Sequence, residues 1–193
     1  MTWLSIIPIT VVAAVCLFFV KEFVEFFKKR NEKNNKILAY KRLLAEEFKV
    51  NLSALKFMHI ICGLAQDEDV ESLQYRKSAS GTERLDVTVY GKTAQQFFWR
   101  INTSVFDKVM SDLAALDGKL FNEVAGVYEK LSEVKHVRES LIDFAEFTMP
   151  KHLIRGLGRY GEDKIAVAEE ALREVFPLLS GSKLVEAKLR SYV

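Results

Sequence analysis

The chain has 193 residues, with 28 Lys and Arg set against 26 Asp and Glu for a formal net charge of +2. That length holds one compact domain and a tether but not two large domains, and so even a balance does not favour nucleic acid, whose phosphates need a concentrated basic excess. Two cysteines, Cys16 and Cys62, make no disulfide framework.

Residues 3–20 read WLSIIPITVVAAVCLFFV, an apolar run without a charge. A helix rises ~1.5 Å per residue and the hydrocarbon core is ~30 Å thick, so the run predicts a single transmembrane helix. Pro8 falls near its start, where a missing N–H is tolerated. No basic region precedes the run and no small-residue cleavage pattern ends it, which argues against a signal peptide. Lys21, Lys28, Lys29, Arg30, Lys33, Lys36, Lys41 and Arg42 follow it. The positive-inside rule therefore predicts a single-pass protein of the inner or plasma membrane, amino terminus outside and the rest cytoplasmic. Phe23, Val24, Phe26 and Phe27 continue the helix as an aromatic face, and Lys28, Lys29 and Arg30 are candidates to hold lipid headgroups, making the bilayer a partner.

The expected division is an anchor with its basic juxtamembrane helix at residues 1–30, a polar hinge at 31–36, a helical bundle at 37–180 and a tail at 181–193. In the first bundle helix Leu44, Phe48, Leu52, Leu55, Met58 and Cys62 define one face, widened by Leu43, Val50, Phe57, Ile61 and Leu64. A stripe so wide belongs to a bundle core. Asn51 interrupts it, either fixing register in a self-associated assembly or meeting a partner group within the monomer. Residues 70–92 change character, and the alternation from Leu85 to Tyr90 predicts a small hairpin turning near Ser80 and Gly81, or a polar insertion. Helix is expected again from Thr93 through Arg100. Ser104 with Asp107 reads as a helix start, Asp117-Gly118 as a break. A long helix then follows, with Leu120, Val124, Val127, Leu131, Val134 and Leu141 on one face. Beyond Pro150 a glycine-rich turn is expected, then a last helix over residues 162–179 closed by Gly181. The fold class is mainly α.

The order of a span with a basic flank, EEFKVNLSAL at residues 46–55 and NTSVFDKVMSDLAALDGKLFNEVAGVYEKLSEVKHV at 102–137 resembles a loose set of uncharacterised prokaryotic single-pass membrane proteins with a cytosolic helical domain. The resemblance covers about half of the chain, rests on packing and capping features and implies no activity.

Residues 156–161 spell G-x-G-x-x-G. A dinucleotide fingerprint must follow a buried strand, and this one follows Pro150 in a helical context. Lys151, His152, Arg155, Gly156, Gly158 and Arg159 remain a candidate anion or nucleotide-phosphate site beside a helix start. His59, His136 and His152 stand apart with no cysteine at ligand spacing, so no metal site is expected, and no nucleophile–base pair points to catalysis. Phe97, Phe98, Trp99 and Arg100 could stack bases, but core packing is the better account. The sequence thus predicts a membrane-anchored, non-enzymatic interaction or oligomerisation module without cofactor, bound to itself or to a protein partner. The alternative is a ligand-gated effector of stress or antiviral defence that senses a phosphate-bearing small molecule.

Overall fold

The computed structural model describes residues 9–147 and 149–184. It is mainly helical (73%) with one small antiparallel sheet. The elements run α1 Ile9–Ala65, β1 Val70–Lys77, β2 Glu83–Val89, β3 Lys92–Phe97, α2 Ser104–Leu116, α3 Gly118–Glu146 and α4 Lys151–Ser180. They fall into two units, Met1–Tyr40 and Lys41–Val193.

The first unit consists, where described, of the leading part of α1, which is helical through residues 31–36. No helix among the described residues is long and apolar enough to cross a membrane. This overturns the single-pass anchor, and with it the outside amino terminus and the cytoplasmic placement drawn from its flank. The described apolar part of α1, from Ile9 to Lys21, rises about 18 Å against a core of ~30 Å. Residues 3–8 of the expected span lie outside the described residues.

In the second unit, the part of α1 from Lys41 onward buries Leu44, Phe48, Leu52, Leu55, Met58 and Cys62 completely, as their three- and four-residue spacing predicts. α3 buries Leu120, Val124, Val127, Leu131, Val134 and Leu141 along one face. Asp117 separates α2 from α3, and its side chain accepts a hydrogen bond from Leu120 N at 3.0 Å, capping the second helix. The sheet has strand order β1-β2-β3, antiparallel throughout. Its first turn lies at residues 78–82, around Gly81, near the expected hairpin turn. The third strand replaces the helix expected from Thr93 to Arg100. Tyr90 and Gly91 form a two-residue connection with φ of 51° and 68°, a pair of left-handed residues whose twist suits a hairpin. Register pairs Leu85 with Tyr75 and Gln96. Alternation then puts Leu73, Leu85 and Val87 on a buried face and Arg76, Arg84 and Phe97 on the other.

The glycine-rich stretch is helix, not turn. α4 starts at Lys151, eleven residues before the expected Glu162, and carries Gly156, Gly158 and Gly161 inside it. A Cβ on Gly158 would stand 2.7 Å from Gln66 N and 2.9 Å from Cys62 O, so the absent side chain lets the backbones of α1 and α4 touch. A Cβ on Gly161 would stand 2.6 Å from Cys62 Sγ. Burial, with the Glu162 charge adding to it, pushes the Cys62 thiol up to about 12, so it stays protonated as a packing group. Gly156 has nothing within 4 Å of its Cβ position.

These contacts separate two substitutions of identical chemistry. Gly158→Ala forces backbone apart and is expected to cost about 1–3 kcal/mol. Gly156→Ala removes a flexible residue from open helix and is expected to stabilise by about 0.5–1 kcal/mol. Thermal melts of the two variants followed by circular dichroism check both signs.

Candidate functional site

The end of the sheet nearest the first turn gathers Lys77, Arg100 and Arg138 around Glu83. β2 begins with Glu83, whose side chain is buried. Arg138 from α3, also buried, pairs with its Oε2 and donates to Phe98 O and to Trp99 O, each at 3.1 Å. The Arg138 guanidinium lies 4.4 Å over the Phe98 ring. Arg100 donates to Glu83 Oε1 through both Nε, at 3.1 Å, and Nη2. Lys77 Nζ stands 4.0 Å from the same carboxylate. Three cations therefore share one carboxylate. The Arg100 hydrogen bonds hold the Glu83 carboxyl below the usual range against the upward push of burial, and the Arg138 and Arg100 charges add to the lowering.

Beside this knot lies a groove of about 350 Å³, lined by residues 80–83 on one side and 97–100 on the other. Phe97 and Trp99 have ring centres 6.0 Å apart, and each approaches Phe57 of α1, at 6.4 and 6.3 Å. Trp99 is 43% exposed. The aromatic run read as helical core is therefore divided: Phe98 is buried under Arg138, while Phe97 and Trp99 form a half-open cluster.

Two polar side chains one turn apart on α1 secure the chain where it leaves the sheet. Asn51, fully buried, donates to Asn102 O at 2.8 Å and accepts from Asn102 N at 2.7 Å. Its amide thus pairs with backbone as a strand would, which is the intramolecular role allowed for it, and both bonds are within the chain. Glu47 accepts from Val105 N at 2.8 Å, from Phe106 N at 3.2 Å and from the Tyr128 hydroxyl. Burial, and then the hydrogen bond to Glu47, pushes the Tyr128 hydroxyl pKa well above its ordinary value.

The other expected site residues are spread elsewhere. Lys28, Lys29 and Arg30 are exposed on α1, and the headgroup role expected of them rested on the anchor. Lys151, His152, Gly156 and Arg159 are exposed, Arg155 is half-buried and Gly158 is buried. His152, Arg155 and Arg159 share a side of α4 by their spacing. Leu153 N and Ile154 N bond Pro150 O at 3.0 and 3.2 Å, and N–H groups deeper in a helix are occupied by its own carbonyls. No cluster of three or more His, Cys, Asp or Glu able to hold a metal ion is found among the described residues. No protein-family model, curated protein or solved structure matches this chain.

Sequence reasoning passed over Glu47, Glu83 and Arg138. For two of them a signal was present: Glu47 precedes Asn51 by one turn on the apolar face of α1, and Arg138 lies between Val134 and Leu141 on that of α3. A charge on an apolar face needs a buried partner.

Arg138→Ala, which leaves Glu83 without its buried partner, is expected to cost about 3–5 kcal/mol. The exposed Arg100 is expected to cost less than about 1 kcal/mol when changed to Ala. Urea unfolding measures both. Because the folded Glu83 pKa is depressed, its contribution is present above the ordinary carboxylate value of about 4.3 and is lost as pH falls through the lower folded value. The acid limb of stability against pH should accordingly flatten in Glu83→Gln.

Proposed function

We propose that this chain is a non-enzymatic interaction module that self-associates through the leading part of α1. The observation that supports this reading is a set of large apolar side chains between residues 11 and 27 that stand about half exposed or more, with Phe19 at 65% and Leu17 at 70%. Each Phe or Leu taken out of water gains about 1.5–3 kcal/mol, and contiguous apolar surface of this extent marks an interaction site. A second copy of the segment is the occupant that matches it. The apolar side chains over residues 11–20 lie on every side of the helix rather than in one stripe. The flank that follows carries both signs, Lys21, Glu22, Glu25, Lys28, Lys29, Arg30, Glu32 and Lys33, so it is complementary to itself. Within one helix Lys21 and Glu25 already approach to 4.0 Å, and Phe23 meets Phe27 edge to face at 4.6 Å. The buried polar groups of the second unit support a scaffold role, since Glu47, Asn51, Glu83 and Arg138 are all bonded to groups that hold the fold.

Sedimentation equilibrium of the full chain over a wide concentration range tests the proposal. The expected result is a reversible oligomer, weakened about 100-fold or more by Phe19→Glu combined with Phe23→Glu. Asn51→Leu should leave the oligomer's mass unchanged while lowering stability by about 1–3 kcal/mol for each Asn102 backbone group left unpaired. A monomer at every concentration refutes self-association.

A further inference from the structure

Three ion pairs around the sheet are uneven in where they put their two charges. Asp86 is buried while its partner Arg76, at 3.0 Å, is 61% exposed. Glu83 is buried while Arg100 is 68% exposed, and Lys77 is exposed as well. In each pair the carboxylate is inside and the cation outside, so the surface presents positive charge although the chain as a whole is nearly neutral.

Two further features leave that charge unspent. Arg76 and Arg84 are direct partners across β1 and β2, and like charges so placed repel. Arg84 has no carboxylate partner among the described residues; its guanidinium rests 5.0 Å over the Phe97 ring. Arg100 gives Nε and Nη2 to Glu83, and a guanidinium has five N–H donors, so its Nη1 donors remain for a second acceptor.

The apolar half of the surface adjoins this charge. Phe97 and Trp99 meet Phe57 of α1, and Val50 and Ile60, 42% and 45% exposed, lie seven and three residues from Phe57 along the same side of that helix. The groove between residues 80–83 and 97–100 is of a size for one or two side chains. Exposed Trp and Arg around a small pocket are the residue types that dominate binding energy at protein interfaces. With Arg84 over one face of Phe97 and Phe57 edge-on to it at 84°, that ring is not free to stack a row of bases, which favours a peptide over a nucleic acid.

We propose that this groove receives an acidic peptide segment of a partner protein, with an apolar side chain seated on Phe97 and Trp99 and flanking carboxylates on Arg84 and Arg100. The surface lies wholly in the second unit, and its use is independent of self-association through residues 9–40. Carboxylates supply the negative partner that Arg84 lacks among the described residues, and Arg receives them through paired N–H donors. Charge sets the choice of partner and its rate of capture, while the aromatic contact holds it.

Fluorescence anisotropy of the full chain with a labelled peptide, a phenylalanine flanked by glutamates, tests the assignment against its glutamine counterpart and against oligo-deoxythymidylate. The expected result is binding of the glutamate peptide about tenfold or more tighter than the glutamine one. Arg84→Ala and Trp99→Ala should each weaken it about fivefold or more, and Arg173→Ala, whose partner Glu169 is on α4, should not. Thermal melts establish that the variants remain folded. Absence of binding at millimolar peptide, equal binding of the two peptides, or unchanged binding by folded Arg84→Ala and Trp99→Ala overturns the proposal. Tighter capture of the oligonucleotide reassigns the groove to nucleic acid.

Discussion

Glu47 and Asn51, one turn apart on α1, hold the point from which the second half of the chain takes its direction. Past Phe98, whose N–H still bonds Glu83 O at 3.0 Å, the segment that leaves β3 is held by Asn51, which pairs with both backbone groups of Asn102. A turn away, Glu47 takes the first free N–H groups of α2. Thr103, at the capping position, makes no side-chain bond to that helix backbone, so a carboxylate from another element does what a local cap ordinarily does. The positive end of the helix dipole and the Tyr128 hydroxyl offset the cost of burying the Glu47 charge. Tyr128 also stacks on Phe106 at 4.1 Å, so the polar tie and the α2–α3 packing support each other.

A second tie, Glu83 with Arg138, joins the sheet to α3. A buried pair of this kind contributes little net stability beyond that of an apolar substitute, yet is costly to break from one side. Its geometric effect is larger than its energetic one. By binding Phe98 O and Trp99 O, Arg138 places the strand end so that Phe98 turns inward and Trp99 remains at the surface. The half-open aromatic cluster follows from that placement.

The elements that could be read in the sequence are those whose signal is local and periodic. The faces of α1 and α3 follow from 3.6-residue spacing, and Asp117-Gly118 is a helix boundary by composition alone. β3 escaped because KTAQQF is polar and carries few strand-forming residues, and because its turn uses Tyr90 before Gly91 where Asn or Asp would have announced a hairpin. The G-x-G-x-x-G stretch reads as a turn because glycine weakens helices. Its Gly158 and Gly161 instead serve a contact with α1 about a hundred residues away, which no local pattern encodes. The apolar run before Lys21 invites a membrane reading on length, but no helix among the described residues is long and apolar enough to cross a membrane. Asn51 was visible as an exception on its stripe, but its partner was not, since Asn102 lies beyond the whole sheet.

The buried carboxylates of the second unit also shape what it offers to others. A salt bridge with both ends at the surface is nearly neutral to an approaching molecule and is screened by salt. When the carboxylate is drawn inside and the guanidinium left outside, as with Asp86 and Arg76 or Glu83 and Arg100, the cation is held in place by its inner partner and still faces water with donors to spare. Its ordering cost is met on folding, so less is lost when an anion docks. Lys at the same positions would not serve equally, because a point charge cannot bind an inner carboxylate and an outer one through separate edges of a planar fork. The internal ties of the sheet and the cationic rim of its groove are thus two consequences of one choice of residues.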